Sequence, residues 1–330
     1  MISIVIPNFN GYKHLEVCLA SLRNQTYKDF IIIVVDNGSE DNSVELLKKN
    51  FCEVRIISHK VNTGFAGAVN DGIKSSLDNK DVSHIVLLNN DIECEQDFLA
   101  ELLNGFIDES VGSVACKMLN FYKRNIIDDT GDFLRKGGLS IPRGFGEEDS
   151  GQYDTPEFIF SACAGAAMYK REVFERAGLF DEEFFAYLED IDFGFRLQLF
   201  GYKCFYNPKS VCYHIRGATT LNKSYLPTFY SERNIVFLRF KNYPPGLLLK
   251  YFFHFTFGRM RRLYIFARYY SFSLSIYAIK GYLSGVLKLY KMVPKRRLIH
   301  KNKKVSNEYI KSILLDVNFS DLKIKEKTLK

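Results

Sequence analysis

The first 120 residues alternate short, unbroken apolar runs with amphipathic stretches. Residues 2–7 (ISIVIP), 30–36 (FIIIVVD), 54–58 (VRIIS), 84–91 (HIVLLNND) and 111–118 (VGSVACKM) predict strands, because an apolar residue at nearly every position suits a strand buried on both faces. Between them, residues 12–25, 43–50, 66–77 and 95–106 carry apolar side chains at helical spacing and predict helices. Continuous apolar strands alternating with helices imply an α/β fold with a parallel sheet covered on both faces. Ligands of such sheets collect at the carboxyl ends of the strands.

Those ends are polar. The first strand runs out through Pro7, Asn8, Phe9, Asn10 and Gly11, and the second through Asp36, Asn37, Gly38 and Ser39. The third leads into Asn62, Thr63 and Gly64, and the fourth stops at Asn89, Asn90 and Asp91. Turn chemistry or helix capping, for example by Asp41 or Ser43, accounts for any one of these exits. Four on one edge predict a ligand-binding edge.

Residues 120–160 carry six turn signals (Gly131, Gly137, Gly138, Pro142, Gly144 and Gly146) and predict a loop region or irregular hairpins. Residues 189–200 predict a helix with Ile191, Phe195 and Leu199 on one stripe, Asp192 placed to pair with Arg196, and Gly201 as its stop. From Pro244 onward aromatic and aliphatic residues interleave with Arg and Lys at helical spacings. Two readings fit: a packed helical hairpin with solvated basic residues, or a region lying on a membrane surface. The second fits better, because Tyr, Phe and basic residues suit a lipid headgroup layer.

Charge sharpens that division. The net charge of +7 conceals 19 Lys and Arg against 4 Asp and Glu from Pro244 to the end, about +15, with the preceding residues near −8. Two units follow: residues 1–243, and a basic, aromatic-rich helical region at 244–330. Composition adds that the chain folds, since 47% hydrophobic and 25% charged residues are globular averages. Seven scattered Cys with no CxxC argue against a disulfide framework or a structural zinc site, and the chain reads as cytoplasmic. No leader is expected at the N-terminus, and charges interrupt every apolar run before the roughly 18 residues of a spanning helix.

Three places carry candidate chemistry. Asp91 closes a strand on the polar edge, where a hard cation such as Mg²⁺ or Mn²⁺ is held by one or two protein groups and phosphate oxygens. His214, at the end of the apolar run VCYH, is a second candidate ligand or a satisfied structural histidine. Glu189, Asp190 and Asp192 lie within four residues, where the helix macrodipole favours acids; the aromatics just before them suggest a partly desolvated carboxylate, as a general base requires. No P-loop, dinucleotide fingerprint, nucleophile elbow or H-E-x-x-H motif occurs.

Six ordered segments, SIVIPNFNG, VVDNGSEDNS, NTGFAGAVNDGI, LLNND, the stretch from CAGAAMYK to FGYK, and YHIRGAT, resemble glycosyltransferase family 2, most closely its bacterial rhamnosyltransferase-like branch, over about residues 1–240. The resemblance implies a GT-A fold and inverting transfer of a sugar from a nucleoside diphosphate donor. It implies that Asp36 contacts the nucleobase, that Pro7, Asn8, Asn10 and the turn from Asn62 to Gly64 line the same pocket, and that Asn89, Asn90 and Asp91 face the donor. Asp91 would bind Mg²⁺ or Mn²⁺ in the D-x-D position, with His214 matching a histidine that ligates metal in some members. Asp190 would be the base, with Glu189 beside it. Asn89 replaces the first acid of D-x-D, so the metal would rely on Asp91, His214 and diphosphate oxygens.

The implied donor is dTDP-L-rhamnose first, with UDP-hexose or UDP-N-acetylhexosamine open. The implied acceptor is a glycan or a polyprenyl-diphosphate-linked saccharide at the inner leaflet, which makes the chain a peripheral protein of the cytoplasmic face in cell-surface polysaccharide synthesis. A homo-oligomer is compatible with this reading. The competing readings are a nucleotide-sugar-binding protein without catalysis and a nucleotidyl transferase; a nucleic-acid partner is not expected, because no such module occurs and residues 1–243 are acidic.

Overall fold

A computed structural model describes residues 1–216, 225–269 and 272–316. The last residues of the YHIRGAT segment (217–219) and residues 317–330 lie outside the described residues. The chain runs β1 (Ile2–Asn8), α1 (Tyr12–Arg23), β2 (Phe30–Asp36), α2 (Ser43–Asn50), β3 (Arg55–Ser58), α3 (Gly64–Leu77), β4 (His84–Leu88), β5 (Ile92–Cys94), α4 (Phe98–Asn104) and β6 (Val111–Asn120). Then come β7 (Ile127–Asp129), β8 (Asp132–Leu134), β9 (Ser140–Pro142), β10 (Glu157–Ile159), β11 (Ala166–Lys170), α5 (Arg171–Ala177), α6 (Glu189–Leu199) and β12 (Lys203–His214). Helices complete it: α7 (Tyr225–Asn242), α8 (Pro245–Lys250), α9 (Phe252–Tyr269), α10 (Phe272–Leu287), α11 (Met292–Asn302) and α12 (Asn307–Ile313).

The main sheet follows the order β10-β12-β6-β11-β4-β1-β2-β3, with β5 on β12 and β7 on β6. β1, β2, β3 and β4 are parallel, as continuous apolar strands predict. The sheet is mixed rather than wholly parallel, because β11 lies antiparallel between β4 and β6. Its residues AAMYK are buried on both faces like their neighbours, so hydrophobicity alone does not report direction. Alternate residues of β1, β2 and β4 feed two cores. Ile4, Ile6, Val34, Val86 and Leu88 face α1, α2 and α4; Val5, Ile33, Val35, Ile85 and Leu87 face α3, α5 and α6.

Register then sets the edge. Asn8 pairs with Asp36 at the last step of β1 and β2, and β4 ends one strand away at Leu88, shorter than the apolar-plus-polar run predicts. Asn89, Asn90 and Asp91 turn the chain into β5, which pairs with the end of β12 and brings Ile92 opposite His214.

The basic C-terminal segment is not detached from this body. Leu247, Tyr251, Phe255, Met292, Ile299 and Ile310 share a third core with Phe184, Ile191, Phe195 and Leu199 of the α6 region. Helix α10 lays small residues against α7: a side chain on Gly281 or Gly285 would run into the backbone carbonyls of Phe229 and Arg233. Among the described residues no helix is long and apolar enough to cross a membrane.

Candidate active site

On the β1–β2 side of the edge, polar groups fasten the exits to one another. Buried Asn8 donates through Nδ2 to Asp36 Oδ1 (3.1 Å) and Ser39 Oγ (3.2 Å), and its Oδ1 accepts from Asn90 Nδ2 at 2.7 Å. Gly11 covers this amide pair so closely that a Cβ there would strike both side chains. Asn8 and Asn90 thus spend their hydrogen bonds on the frame. Asn10, at φ 52°, is exposed, and its Oδ1 accepts from Glu40 N at 2.8 Å; Pro7 sits half-buried at the strand end.

The turn from Asn62 to Gly64 is built on a residue that the motif reading passed over. Asn37 is buried, donates to Asn62 Oδ1 (3.1 Å) and Gly64 O (3.0 Å), and accepts from Thr63 N (2.9 Å). Its place beside Asp36 in a polar strand exit was the available signal. Gly64 itself, at φ +78°, abuts Phe185, and a Cβ would strike the Phe185 carbonyl.

At the other end of the edge, Asp91 Oδ1 lies 3.3 Å from His214 Nε2, and both side chains are nearly buried. Asp128 completes the pair: its Oδ2 is 2.7 Å from His214 Nδ1, and its Oδ1 accepts from Arg216 Nη1 at 2.8 Å. Burial pushes the His214 imidazolium down, but hydrogen bonds to Asp128 and Asp91 outweigh it and raise its pKa to about 9. When the ring gives up its Nε2 proton, as a metal ligand must, the carboxylate on Nδ1 holds the remaining proton there and leaves Nε2 free on the Asp91 side, the usual outer support of a metal-binding imidazole. An oxygen and a nitrogen at this separation suit one divalent cation whose remaining positions are filled by phosphate or water. Among the described residues no group of three His, Cys, Asp or Glu side chains forms a closed metal cage. Asp128 sits in β7, inside the stretch expected to be loop, and the three Asp of IIDDTGD were its only trace.

The third group centres on α6. Asp190 accepts from Ile191 N (2.8 Å) and, at 3.4 Å, from Ala164 N. Ala164 belongs to the turn whose Gly165 carbonyl accepts from Asn89 N at 2.7 Å, so one short loop joins Asp190 to the end of β4. Burial raises Asp190, and raises Glu189 well above the usual carboxylate range with repulsion from Asp190 adding to it; one Glu189 oxygen, Oε2, is buried without a partner. Asp129, raised to about 7 chiefly by burial, and Asp132, raised well above the usual carboxylate range chiefly by burial, both lie close enough to feel the Asp190 charge. Asp192 plays a different part: it pairs with Arg196 at 3.1 Å, as the spacing predicts, and with Lys241 at 2.8 Å.

The strap leading into α6 is strained. Phe185 (φ 63°), Tyr187 (φ 71°) and Leu188 (φ 67°) are three non-glycine residues with positive φ within four positions, a conformation costing on the order of 1–3 kcal/mol each. Such strain persists only where the surroundings over-determine it.

Comparison with known proteins accords with this geometry. The family model described as Glycosyl transferase family 2 matches residues 3–178, which include the whole polar edge from β1 to β5 and stop short of α6 and His214. The glycosyltransferase EpsJ of Bacillus subtilis is 28% identical over 200 residues, 58% of this chain and 54% of that protein, so the chain spans about half the length of this relative. Among solved structures, the mannosyltransferase PcManGT from Pyrobaculum calidifontis, in complex with GDP-Man and Mn²⁺, superposes with a TM-score of 0.53 at 17% identity, covering 91% of this chain and 86% of that one. GalNAc-T7 with UDP, GalNAc and Mn²⁺ superposes with a TM-score of 0.61 at 14% identity, covering 89% of this chain and 57% of that one. At such identities the structural likeness speaks for the GT-A fold alone. With the family match spanning more than half of the sequence, the chain belongs to glycosyl transferase family 2.

Proposed function

We propose that the chain transfers a sugar from a nucleoside diphosphate donor to an acceptor hydroxyl with inversion, and that Asp190 is the base. One observation carries the reading: the turn at 163–165 ties a desolvated carboxylate to the strand end that offers Asp91 and His214. In a single displacement the acceptor oxygen forms its bond to the anomeric carbon as the bond from that carbon to the diphosphate oxygen breaks. The leaving diphosphate takes the electron pair, and the hydroxyl proton passes to Asp190. Asp91 and His214 would hold Mg²⁺ or Mn²⁺, which supplies positive charge opposite the diphosphate. Support for the metal also comes from the Mn²⁺ complexes among the structural neighbours. Asp36 and the Asn62 to Gly64 turn line the nucleobase end, with Pro7 and Asn10 at its mouth and Asn89 toward the ribose or phosphate.

Replacement of Asp190 by Asn tests the assignment. Donor binding should persist while turnover falls by at least about a hundredfold; near-normal transfer would refute it. Because Asp190 works deprotonated and burial raises it, turnover of the parent chain should climb with pH through a value above the usual carboxylate range. Excess EDTA should abolish turnover and Mn²⁺ restore it, and full activity in EDTA would remove the metal.

The donor we would test first is dTDP-L-rhamnose, followed by GDP-mannose, UDP-hexoses and UDP-N-acetylhexosamines, by thermal shift with Mn²⁺. A ligand of the native state raises stability with its saturation. For the acceptor, our reading is a glycan or lipid-linked saccharide at an anionic membrane, with residues 244–330 as the docking region. Phe253, Phe257, Met260 and Tyr264 follow one another at steps of four, three and four along α9 and are 79%, 56%, 67% and 63% exposed, and no acid occurs between Pro244 and Glu308. Sedimentation with anionic vesicles that fades as salt rises is expected; binding unchanged on deletion of residues 245–330 would refute the docking role.

A further inference from the structure

The strap from Glu182 to Leu188 has to hold two things in register: the start of the helix bearing Asp190, and the donor-side turn at Gly64. Phe185 performs the second task, since its carbonyl accepts from Ala66 N at 3.2 Å and its ring crowds Gly64. A local bond from Ala186 N to Phe184 O (2.7 Å) closes a tight turn on Phe185, which leaves the left-handed Tyr187 and Leu188 to be explained. The explanation lies on α7. The side-chain amide of Asn234, wholly buried, faces three strap carbonyls, its two Nδ2 hydrogens shared among the oxygens of Phe184 (2.9 Å), Ala186 (2.9 Å) and Tyr187 (2.7 Å).

Arg233 sets the direction of that amide. Its Nε donates to Asn234 Oδ1 at 2.9 Å, which turns Nδ2 toward the strap, and its Nη2 donates to the oxygens of Glu183 (2.7 Å) and Phe184 (2.8 Å). The preceding Glu232 is buried and pairs with Arg259 and Arg262 of α9, so neighbouring residues of one helix bind the strap and the C-terminal helices. A carbonyl left unpaired inside such a strap loses the compensation for its strain.

We propose that Arg233 and Asn234 are positioning residues for the base: they clamp the left-handed strap so that Asp190 and the Gly64 turn keep a fixed separation. The proposal rests on the glycosyl-transfer reading above. Neither residue touches the reacting atoms, and α7 lies beyond the stretch matched by the family model.

The test uses the full chain with Asn234→Asp, which keeps shape and loses the donor hydrogens, and Arg233→Lys, which keeps the cation and loses the fork. Hydrogen exchange of the Ala66 amide and of the amides of residues 184–192 should quicken at least about tenfold in each variant, with the sheet amides unchanged. Turnover is followed as nucleoside diphosphate released with Mn²⁺ from dTDP-L-rhamnose, GDP-mannose or UDP-glucose, whichever the parent chain consumes. The maximal rate should fall about 10- to 100-fold with the donor KM within about threefold, the scale of a misplaced catalytic group. Exchange that quickens over the whole sheet, with kcat and KM lost together, would show a structural role only and overturn the proposal. Parent-like kcat in both variants beside an inactive Asp190→Asn would refute the clamp alone; an active Asp190→Asn would refute the base and, with it, the clamp's catalytic meaning. If Asn234→Asp does not fold, Arg233→Lys decides among the same outcomes.

Discussion

Asn90 and Asp91 are adjacent, both nearly buried, and both lie in the turn that follows β4, yet their surroundings predict opposite phenotypes. Asn90→Ala removes the donor to Asn8 Oδ1, and Asn8 is only 1% exposed. A buried acceptor stripped of its partner costs about 1–3 kcal/mol. In a chain of this size that is roughly 2 °C of melting temperature per kcal/mol, so a fall of about 2–6 °C is expected. Activity well below that temperature should remain within about threefold of the parent, because Nδ2 of Asn90 is already committed to the frame. Asp91→Asn should do the reverse. Among the described residues its side-chain partner is His214 at 3.3 Å, which keeps Asp128 on its other nitrogen, and an amide of the same shape keeps the packing, so melting should fall less than in Asn90→Ala. Turnover should fall at least about a hundredfold, and raised Mn²⁺ should recover part of it. Thermal unfolding and nucleoside diphosphate release, measured on the same two preparations, decide the matter. Equal losses of activity, or a larger loss of stability in Asp91→Asn, would show that the division of the triplet into frame and site is wrong.

Asp128→Asn should weaken Mn²⁺ binding by about 10- to 100-fold, measured by calorimetry in the presence of nucleoside diphosphate, since the neutral amide no longer enforces the His214 tautomer; unchanged affinity would dismiss Asp128 as a support. Asp129→Asn should stabilise the protein at pH 8 and leave it unchanged at pH 4. The folded Asp129, raised to about 7, keeps a proton that the unfolded chain releases near pH 4, so native stability falls as pH rises through that window, by up to roughly 4 kcal/mol from this group; a lower urea midpoint at pH 8 in the variant would contradict this. Lys241→Met should cost about 3 kcal/mol in urea unfolding, because it strands buried Asp181 and Asp192, 2.6 and 2.8 Å from Nζ. Burial alone would raise Asp181, but Lys241 and Lys295 hold it well below the usual range. That stabilisation is present above the unfolded pKa and lost as pH falls, so the variant should also become acid-sensitive at higher pH than the parent.

The readable part of this protein is the part where chemistry and local pattern coincide. Strands β1, β2 and β4 are continuous apolar runs, and their exits are polar because the sheet edge is where side chains leave the core; both signals lie within ten residues of one another. The helix from Glu189 to Leu199 is legible for the same reason, with Asp192 finding Arg196 one turn on. What escapes is whatever depends on partners far along the chain. Asp128 reads as a turn residue until β7 places it beside a histidine 86 positions later. Asn37 reads as one more polar exit until the 62–64 turn closes on it. The antiparallel course of β11 leaves no mark on its composition, because burial on both faces looks the same in either direction.

The C-terminal segment shows most plainly why local pattern runs out. Its aromatic and basic residues at helical spacing fit both a membrane surface and a packed hairpin, and the fold uses them in two ways at once. On α9 one stripe, Phe255 and Arg259, turns inward to the third core and to Glu232, while Phe253, Phe257, Met260 and Tyr264 turn outward. A helix that is apolar on two faces cannot satisfy both by folding alone, so the outward stripe calls for a further surface whereas the inward one anchors α7. Helix α7 also carries the side chains that bond the strap ahead of Asp190, so on the proposed reading any surface that seated α9 and α10 would press on the element that aligns the base. If residues 244–330 dock and Asp190 is the base, as proposed, the two tasks are mechanically adjacent, joined through three consecutive residues, Glu232, Arg233 and Asn234.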